Sequence, residues 1–176
     1  ADVRKVMPAF DEAGVSWLEE PFPPQDRKAY RMARSLGRVP FAAGENHYTR
    51  YDFSMLLDDG DVQFIQPDLS KTGGVTESMR IAAMAGANKL TINPHTSATA
   101  INMGTTIHFL SAIDNPGYFE GDVTSLNPFR DEMMDKSAYE LDSEGYVKPY
   151  DGVGIGMKIN LDFVKEHPLI DGPCYI

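Results

Sequence analysis

Five ionisable residues carry the chemistry this sequence offers: Glu19, Glu45, Asp68, His95 and Glu120, spaced 26, 23, 27 and 25 residues apart. Each follows a short apolar stretch of the kind that forms a strand, and each interval is the length of one strand–helix unit. If the units repeat in parallel, all five side chains fall at the same C-terminal mouth, where barrel enzymes place their active sites. One acid after a strand means little, because Asp and Glu also cap helices, pair with lysines or sit in solvated loops. A series of five, one per unit, is harder to assign to local structure.

Taken together, the residue types suggest a division of labour. Glu19 and Glu45 on neighbouring units offer hard oxygen donors suited to a divalent cation such as Mg²⁺. Asp68 one unit before His95 suits a general base whose ring is oriented by a carboxylate. Glu120 suits a hydrogen-bond donor, provided its surroundings keep it protonated. Lys71 is read as a cation that holds the carboxylates apart. Asn46 and His47, directly after Glu45, are candidates to line the pocket or support the ligands. Ser70-Lys71-Thr72-Gly73-Gly74 lacks the full Gly-x4-Gly-Lys frame of a phosphate loop and is set aside. His108 falls in the middle of a predicted helix and reads as packing, and His167 lies off the strand-end pattern.

The elements that must position these residues alternate regularly. Predicted helices cover residues 2–13, 26–36, 50–57, 75–85 and 98–113. Predicted strands cover 15–18, 39–43, 62–66, 90–92 and 118–119. Strands alternating with helices at this pitch imply parallel βαβ units, and the lack of a Gly-rich dinucleotide loop favours a barrel segment over a Rossmann sheet. The expected fold is α/β, with residues 1–120 forming the C-terminal part of a (β/α)7β TIM-like barrel of about five strands. Residues 121–176 are rich in Gly, Pro and acids; they are expected to pack as a tail on the barrel, with an edge strand near 146–149 and a short helix near 161–167.

The chain has 176 residues, 42% of them hydrophobic, against roughly 250 for a complete barrel of this type. The earlier strands are therefore expected to lie outside this sequence. A formal net charge of −10 and a pI near 4.7 argue against nucleic acid as a partner. A single cysteine, Cys174, excludes an internal disulfide or a cysteine-based metal cluster in this chain. No apolar run approaches the roughly 20 residues of a membrane span, so the expectation is a cytoplasmic protein without membrane contact.

Trp17-Leu18-Glu19-Glu20-Pro21, Gly44-Glu45-Asn46, Pro67-Asp68-Leu69-Ser70-Lys71-Thr72-Gly73-Gly74, Pro94-His95 and Phe119-Glu120, in this order, resemble the mandelate racemase subgroup of the enolase superfamily. The resemblance runs from about Val3 to Glu120. It implies that Glu19 and Glu45 are the second and third metal-ligand acids, that Asp68 and His95 form an Asp–His dyad, and that Glu120 hydrogen-bonds an enolate. Related subgroups have a lysine base in the slot held by Asp68, which places this chain on the mandelate racemase side. The family's first metal-ligand aspartate, its opposite-face base and its capping domain have no counterpart in these residues, and Asp2 is too near the start of its helix to serve.

The implied activity is Mg²⁺-dependent removal of the proton beside a carboxylate, giving dehydration of a sugar acid by a homo-oligomeric enzyme. The alternatives are a racemase or epimerase of a 2-hydroxy acid, and a fragment with only a structural or assembly role.

Overall fold

The computed structural model describes residues 2–96 and 99–172. Cys174 and the expected helix start at Ala98 therefore lie outside the described residues. Four short strands, β1 (Leu18–Glu19), β2 (Phe41–Ala43), β3 (Phe64–Ile65) and β4 (Thr91–Ile92), form a parallel sheet in sequence order. Helices α1 (Asp2–Ala13), α2 (Arg27–Ala33), α3 (Thr49–Asp59), α4 (Val75–Ala87) and α5 (Ala100–Leu110) alternate with them. Two short helices, α6 (Pro128–Asp131) and α7 (Leu161–Glu166), lie in the tail. No described helix is long and apolar enough to cross a membrane.

Local chemistry explains the boundaries. Gly14, at φ 66°, supplies the left-handed residue that ends α1, and Gly60 does the same for α3. Asp26 accepts a hydrogen bond from Ala29 N at 3.0 Å, so it caps α2 and is not part of it. The carboxylate of Asp11 in α1 receives the backbone N–H groups of Arg38 and Val39, which fixes the approach to β2. All three residues of β2 are buried, as expected of a parallel strand covered on both faces.

The helices close one core against the sheet. Met7, Tyr30, Phe41, Phe53, Ile65, Ile81, Ile92 and Phe109 belong to it. On the concave side the Trp17 ring lies 5.0 Å from Phe64 and 6.1 Å from Tyr118, so the sheet curls enough to bring residues from its two ends together. That curvature, with the parallel order, is the arc of a barrel wall.

The fifth expected strand, at 118–119, does not form as a strand. A single parallel bridge joins Ile92 to Pro116, through Ile92 N to Asn115 O and Gly117 N to Ile92 O. The reason is local: Pro116 has no N–H to donate. The Asn115 side chain instead donates to Ala82 O and Leu90 O, and Tyr118 N donates to Asn93 Oδ1. Asparagine side chains thus take over hydrogen bonds that a longer ladder would make, while Phe119-Glu120 still reach the fifth position of the arc.

The expected edge strand at 146–149 is also absent. There the Asp142 carboxylate accepts from Glu144 N and Tyr146 N, closing a turn in which Gly145 sits at φ 84°. Elsewhere in the tail, an antiparallel bridge pairs Met134 with Ile159. Met134, Ala138 and Met157 pack on Ala100 and Met103 of α5.

One glycine is required by the sheet itself. Gly44 ends β2 at φ 151°, and a Cβ there would lie 2.7–2.8 Å from backbone atoms of Gln66. Neither the backbone at Gln66, directly after β3, nor the dihedral can relax cheaply. Gly44→Ala is expected to destabilise the whole protein by about 1–3 kcal/mol, measured as a lower urea midpoint at unchanged slope. An unchanged midpoint would mean that β2 and β3 can separate locally.

Candidate active site

Each of the five residues ends a strand or the segment that continues the sheet. Glu19 is the last residue of β1, Glu45 follows β2, Asp68 follows β3, and His95 follows β4. Parallel register aligns them, with Glu19 opposite Ala42 and Ala43 opposite Ile65. The structure brings Glu45, Asp68 and His95 into direct contact. His95 Nδ1 lies 2.9 Å from Asp68 Oδ2, and His95 Nε2 lies 3.1 Å from Glu45 Oε2.

Asp68 is 1% exposed, and donors surround it. Besides His95, Oδ1 accepts from Ser70 N at 2.8 Å, Ser70 Oγ at 2.5 Å and Asn102 Nδ2 at 3.2 Å. Burial opposes its charge, but the His95 and Ser70 hydrogen bonds outweigh burial and hold its pKa below the usual carboxylate value. Burial likewise opposes a charge on His95, yet the Asp68 hydrogen bond and the charges of Glu45 and Glu120 raise its pKa above the ordinary value. A carboxylate at each ring nitrogen favours the doubly protonated ring.

Glu120 is an exposed residue, but protein packed around its carboxyl pushes its pKa up. The N–H of Thr96, which donates to Oε2 at 3.0 Å, and the nearby His95 oppose that rise. Glu19 and Glu45 add to it. The direction suits a carboxyl that retains its proton to donate. Thr96 Oγ1 also donates to the Glu120 carbonyl, which ties the His95 loop to the last position of the arc.

The supporting candidates divide. Lys71 Nζ stands 3.6 Å from Glu45 Oε1. Asn46 donates to both Glu45 Oε1 at 3.0 Å and Glu20 Oε2 at 2.7 Å, bridging two loops. His47 does not join the cluster. It is buried beside the Phe53 ring, and its Nδ1 has no hydrogen-bond partner among the described residues. Burial lowers its pKa, against the pull of Glu20 and Asp52. It lines a separate cavity of about 270 Å³ with Gln25, Arg27 and Tyr48.

Several participants were not singled out from the sequence. Ser70, Thr96, Asn102 and Gln66 each hydrogen-bond one of the five, and Glu20 reaches Glu45 only through Asn46. The Asp68-x-Ser70 spacing is the signature of an Asx turn and could have exposed Ser70. Asn102 looks like any polar residue of a helix and carried no such signal.

A cleft of about 400 Å³ opens beside the cluster, lined by His95, Thr96, Glu120, Asp122, Thr124 and Asn127. Asp122, whose pKa is held down to about 2 by hydrogen bonds from Thr124 and Asn127 with Arg130 nearby, rigidifies its wall. A larger cavity of about 1050 Å³, lined by Phe64, Ile107, Leu110, Pro116 and Tyr118 among others, contains none of the five residues. The smaller cleft is the one with chemistry.

The oxygens around Glu19 fit a hard cation. Gln66 Nε2 donates to Glu19 Oε2 at 2.8 Å, while Gln66 Oε1 and Glu20 Oε1 are buried with no partner among the described residues. Acceptors therefore outnumber donors around Glu19 and Gln66. That surplus, with the carboxylates of Glu19 and Glu45 at the ends of adjacent strands, is the donor chemistry Mg²⁺ takes. Among the described residues no three His, Cys, Asp or Glu side chains are arranged to hold a metal.

A family model for enolase C-terminal domain-like sequences matches residues 1–163. The chain belongs to the enolase superfamily. It is 32% identical over 166 residues to D-galactarolactone cycloisomerase of Agrobacterium fabrum, covering 90% of this chain and 43% of that protein. It is 31% identical over 153 residues to D-galactonate dehydratase of Pectobacterium atrosepticum, covering 85% and 40%. The crystal structure of an enolase superfamily member from a Polaromonas species superposes with a TM-score of 0.93 at 48% identity, covering 99% of this chain and 46% of that one. The chain spans less than half the length of each of these relatives. The barrel-segment reading of the motifs is the one these matches bear out.

Proposed function

We propose that the protein to which these residues belong removes the proton α to the carboxylate of a sugar acid and expels the β-hydroxyl as water. The observation that carries this reading is His95, held at Nδ1 by a buried carboxylate and presenting Nε2 at the mouth beside Glu45 and Glu120. Similarity to a D-galactonate dehydratase supports the substrate class.

The residues would act as follows. Asp68 fixes the ring with its proton on Nδ1, leaving the Nε2 lone pair for the α-hydrogen. The electron pair of the C–H bond moves into the carboxylate to give an enolate, and protonated Glu120 donates a hydrogen bond to that oxygen. His95 then returns the proton to the departing β-hydroxyl, so hydrogen and hydroxyl leave as water. Glu19 and Glu45 would be two of the Mg²⁺ ligands, and the bound cation supplies charge stabilisation to the enolate. With the cation bound, Glu45 would hold the His95 proton less strongly, which would favour the neutral ring a base requires.

A second reading, isomerisation through the same enolate, is favoured by the similarity to a cycloisomerase. Mass analysis of the product separates the two, since dehydration loses water and isomerisation preserves mass.

The metal assignment predicts that chelation abolishes turnover by the full-length protein and that Mg²⁺ restores it. Glu45→Gln, which removes a charged ligand, is expected to weaken Mg²⁺ binding by calorimetry by at least the roughly 10–100-fold that loss of a ligand's supporting partner costs. Turnover that survives exhaustive chelation would remove the metal from the mechanism.

A further inference from the structure

We propose that Asn102 of α5 is the positioning residue of the Asp68–His95 pair: its amide sets the rotation of the Asp68 carboxylate and thereby which ring nitrogen of His95 carries the proton. The inference rests on reading His95 as the base, and it assigns a role to a residue outside the strand-end series.

The two oxygens of Asp68 are used unequally. Three donors converge on Oδ1: Ser70 N, Ser70 Oγ and Asn102 Nδ2. Oδ2 is left for one partner, His95 Nδ1 at 2.9 Å. An ionised carboxylate only accepts, so the neutral ring facing Oδ2 must carry its hydrogen on Nδ1. The unequal loading therefore favours a hydrogen on Nδ1; at the other end of the ring Nε2 faces Glu45 Oε2 at 3.1 Å, and it carries a free lone pair only where that carboxylate is engaged elsewhere.

Of the three donors, two come from Ser70, which sits on the same turn as Asp68 and moves with it. Asn102 lies 34 residues further on, in a different element. It alone among these donors references the carboxylate to the frame of α5. Its own orientation is fixed, because Thr106 Oγ1 donates to Asn102 Oδ1 at 3.4 Å and Thr106 is fully buried. With Oδ1 facing a hydroxyl and Nδ2 facing a carboxylate, the flipped amide would set two acceptors together. The backbone is fixed too: Thr99 Oγ1 accepts from Asn102 N at 3.2 Å as the cap of α5.

Packing alone does not explain the residue. Asn102 is 7% exposed, and Thr106 and Phe109, one and two turns further along the same face of α5, are buried too. An apolar side chain there would avoid the cost of desolvating an amide, so the amide is accounted for by the carboxylate it meets.

The test reads the ring directly and needs no substrate. Full-length protein is labelled with ¹⁵N-histidine, saturated with Mg²⁺ and studied at a pH where the His95 ring is neutral. His95→Asn identifies the resonances by difference. In the wild type, Nδ1 is expected to be protonated and Nε2 not. In Asn102→Leu the Nε2 resonance is expected to move toward the protonated range as the two tautomers mix. Asn102→Ala, which removes the donor without adding bulk, should do the same and serves if the leucine variant does not fold.

A folded variant with a lower melting point and the wild-type tautomer would overturn the inference, since a purely structural role predicts that result. Asp68→Asn separates the two levels. If it changes the tautomer and the Asn102 variants do not, Asn102 is not the positioning residue. If Asp68→Asn also leaves the tautomer unchanged, the pairing itself has failed.

Discussion

Replacing His95 with Asn in the full-length protein is expected to slow exchange of the substrate α-hydrogen with deuterated solvent by roughly 10²–10⁴-fold, the usual contribution of a positioned general base. The substitution is chosen because an amide can still donate to Asp68 Oδ2. The buried carboxylate then keeps a partner, and loss of function is not confused with the cost of an orphaned charge. Substrate affinity should change far less, since Nε2 contributes a lone pair to the reaction and not a hydrogen bond to the ground state. Asp68→Asn is expected to cost less than loss of the base. The new side chain can still accept from Ser70, but it turns an N–H toward His95 Nδ1 and disturbs the tautomer without removing the ring. Proton NMR of recovered substrate measures the exchange, with D-galactonate and related sugar acids as probes. Wild-type exchange in the His95 variant, on any acid that the wild type exchanges, would remove His95 from the proton transfer.

The candidate series was legible in the sequence because parallel βα units impose a period, and Glu19, Glu45, Asp68, His95 and Glu120 keep it. The residues that hold them in place follow no such period. Ser70 acts from a turn, Thr96 from the segment after β4, Gln66 from the residue after β3, and Asn102 from a helix that reaches Asp68 only after the chain has passed through β4. Such partners are defined by distance in space, so no local pattern marks them. His47 shows the converse. Its place two residues after Glu45 suggested the pocket, but the turn in which His47 N donates to Gly44 O buries the ring beside Phe53.

The fold was legible to a similar depth. Apolar runs located each unit, while hydrogen bonding set the strands shorter than the runs. Residues 39–43 read as one strand, but Pro40 lacks an N–H and only Phe41–Ala43 pair as β2. At the fifth position Pro116 and the Asn115 side chain reduce a strand to one bridge. Neither effect changes which residues reach the mouth, so the site could be located before the strand ends were known.

The 176 residues produced alone are expected to be catalytically silent and to self-associate. β1 pairs only with β2, and beyond the Ile92–Pro116 bridge the sheet has no further strand among the described residues. Two unpaired edges of a parallel sheet are templates for another chain. Between the sheet and the tail, the cavity of about 1050 Å³ presents Phe64, Ile107, Leu110, Pro116 and Tyr118, and the Tyr118 side chain is largely in solvent. An apolar hollow of that size beside an open edge favours association over solvation. The net charge of −10 opposes it, but at moderate ionic strength that repulsion is screened beyond about 8–10 Å, whereas apolar contact is not. Silence follows separately from the ligand count, because Glu19 and Glu45 are two carboxylates where the proposed metal site needs more, and Mg²⁺ binding should be weak. Sedimentation velocity across a range of concentrations measures the association, and calorimetry measures the metal. A well-folded monomer at high concentration would show that curling of the sheet, with Trp17 against Phe64 and Tyr118, protects the edges without help.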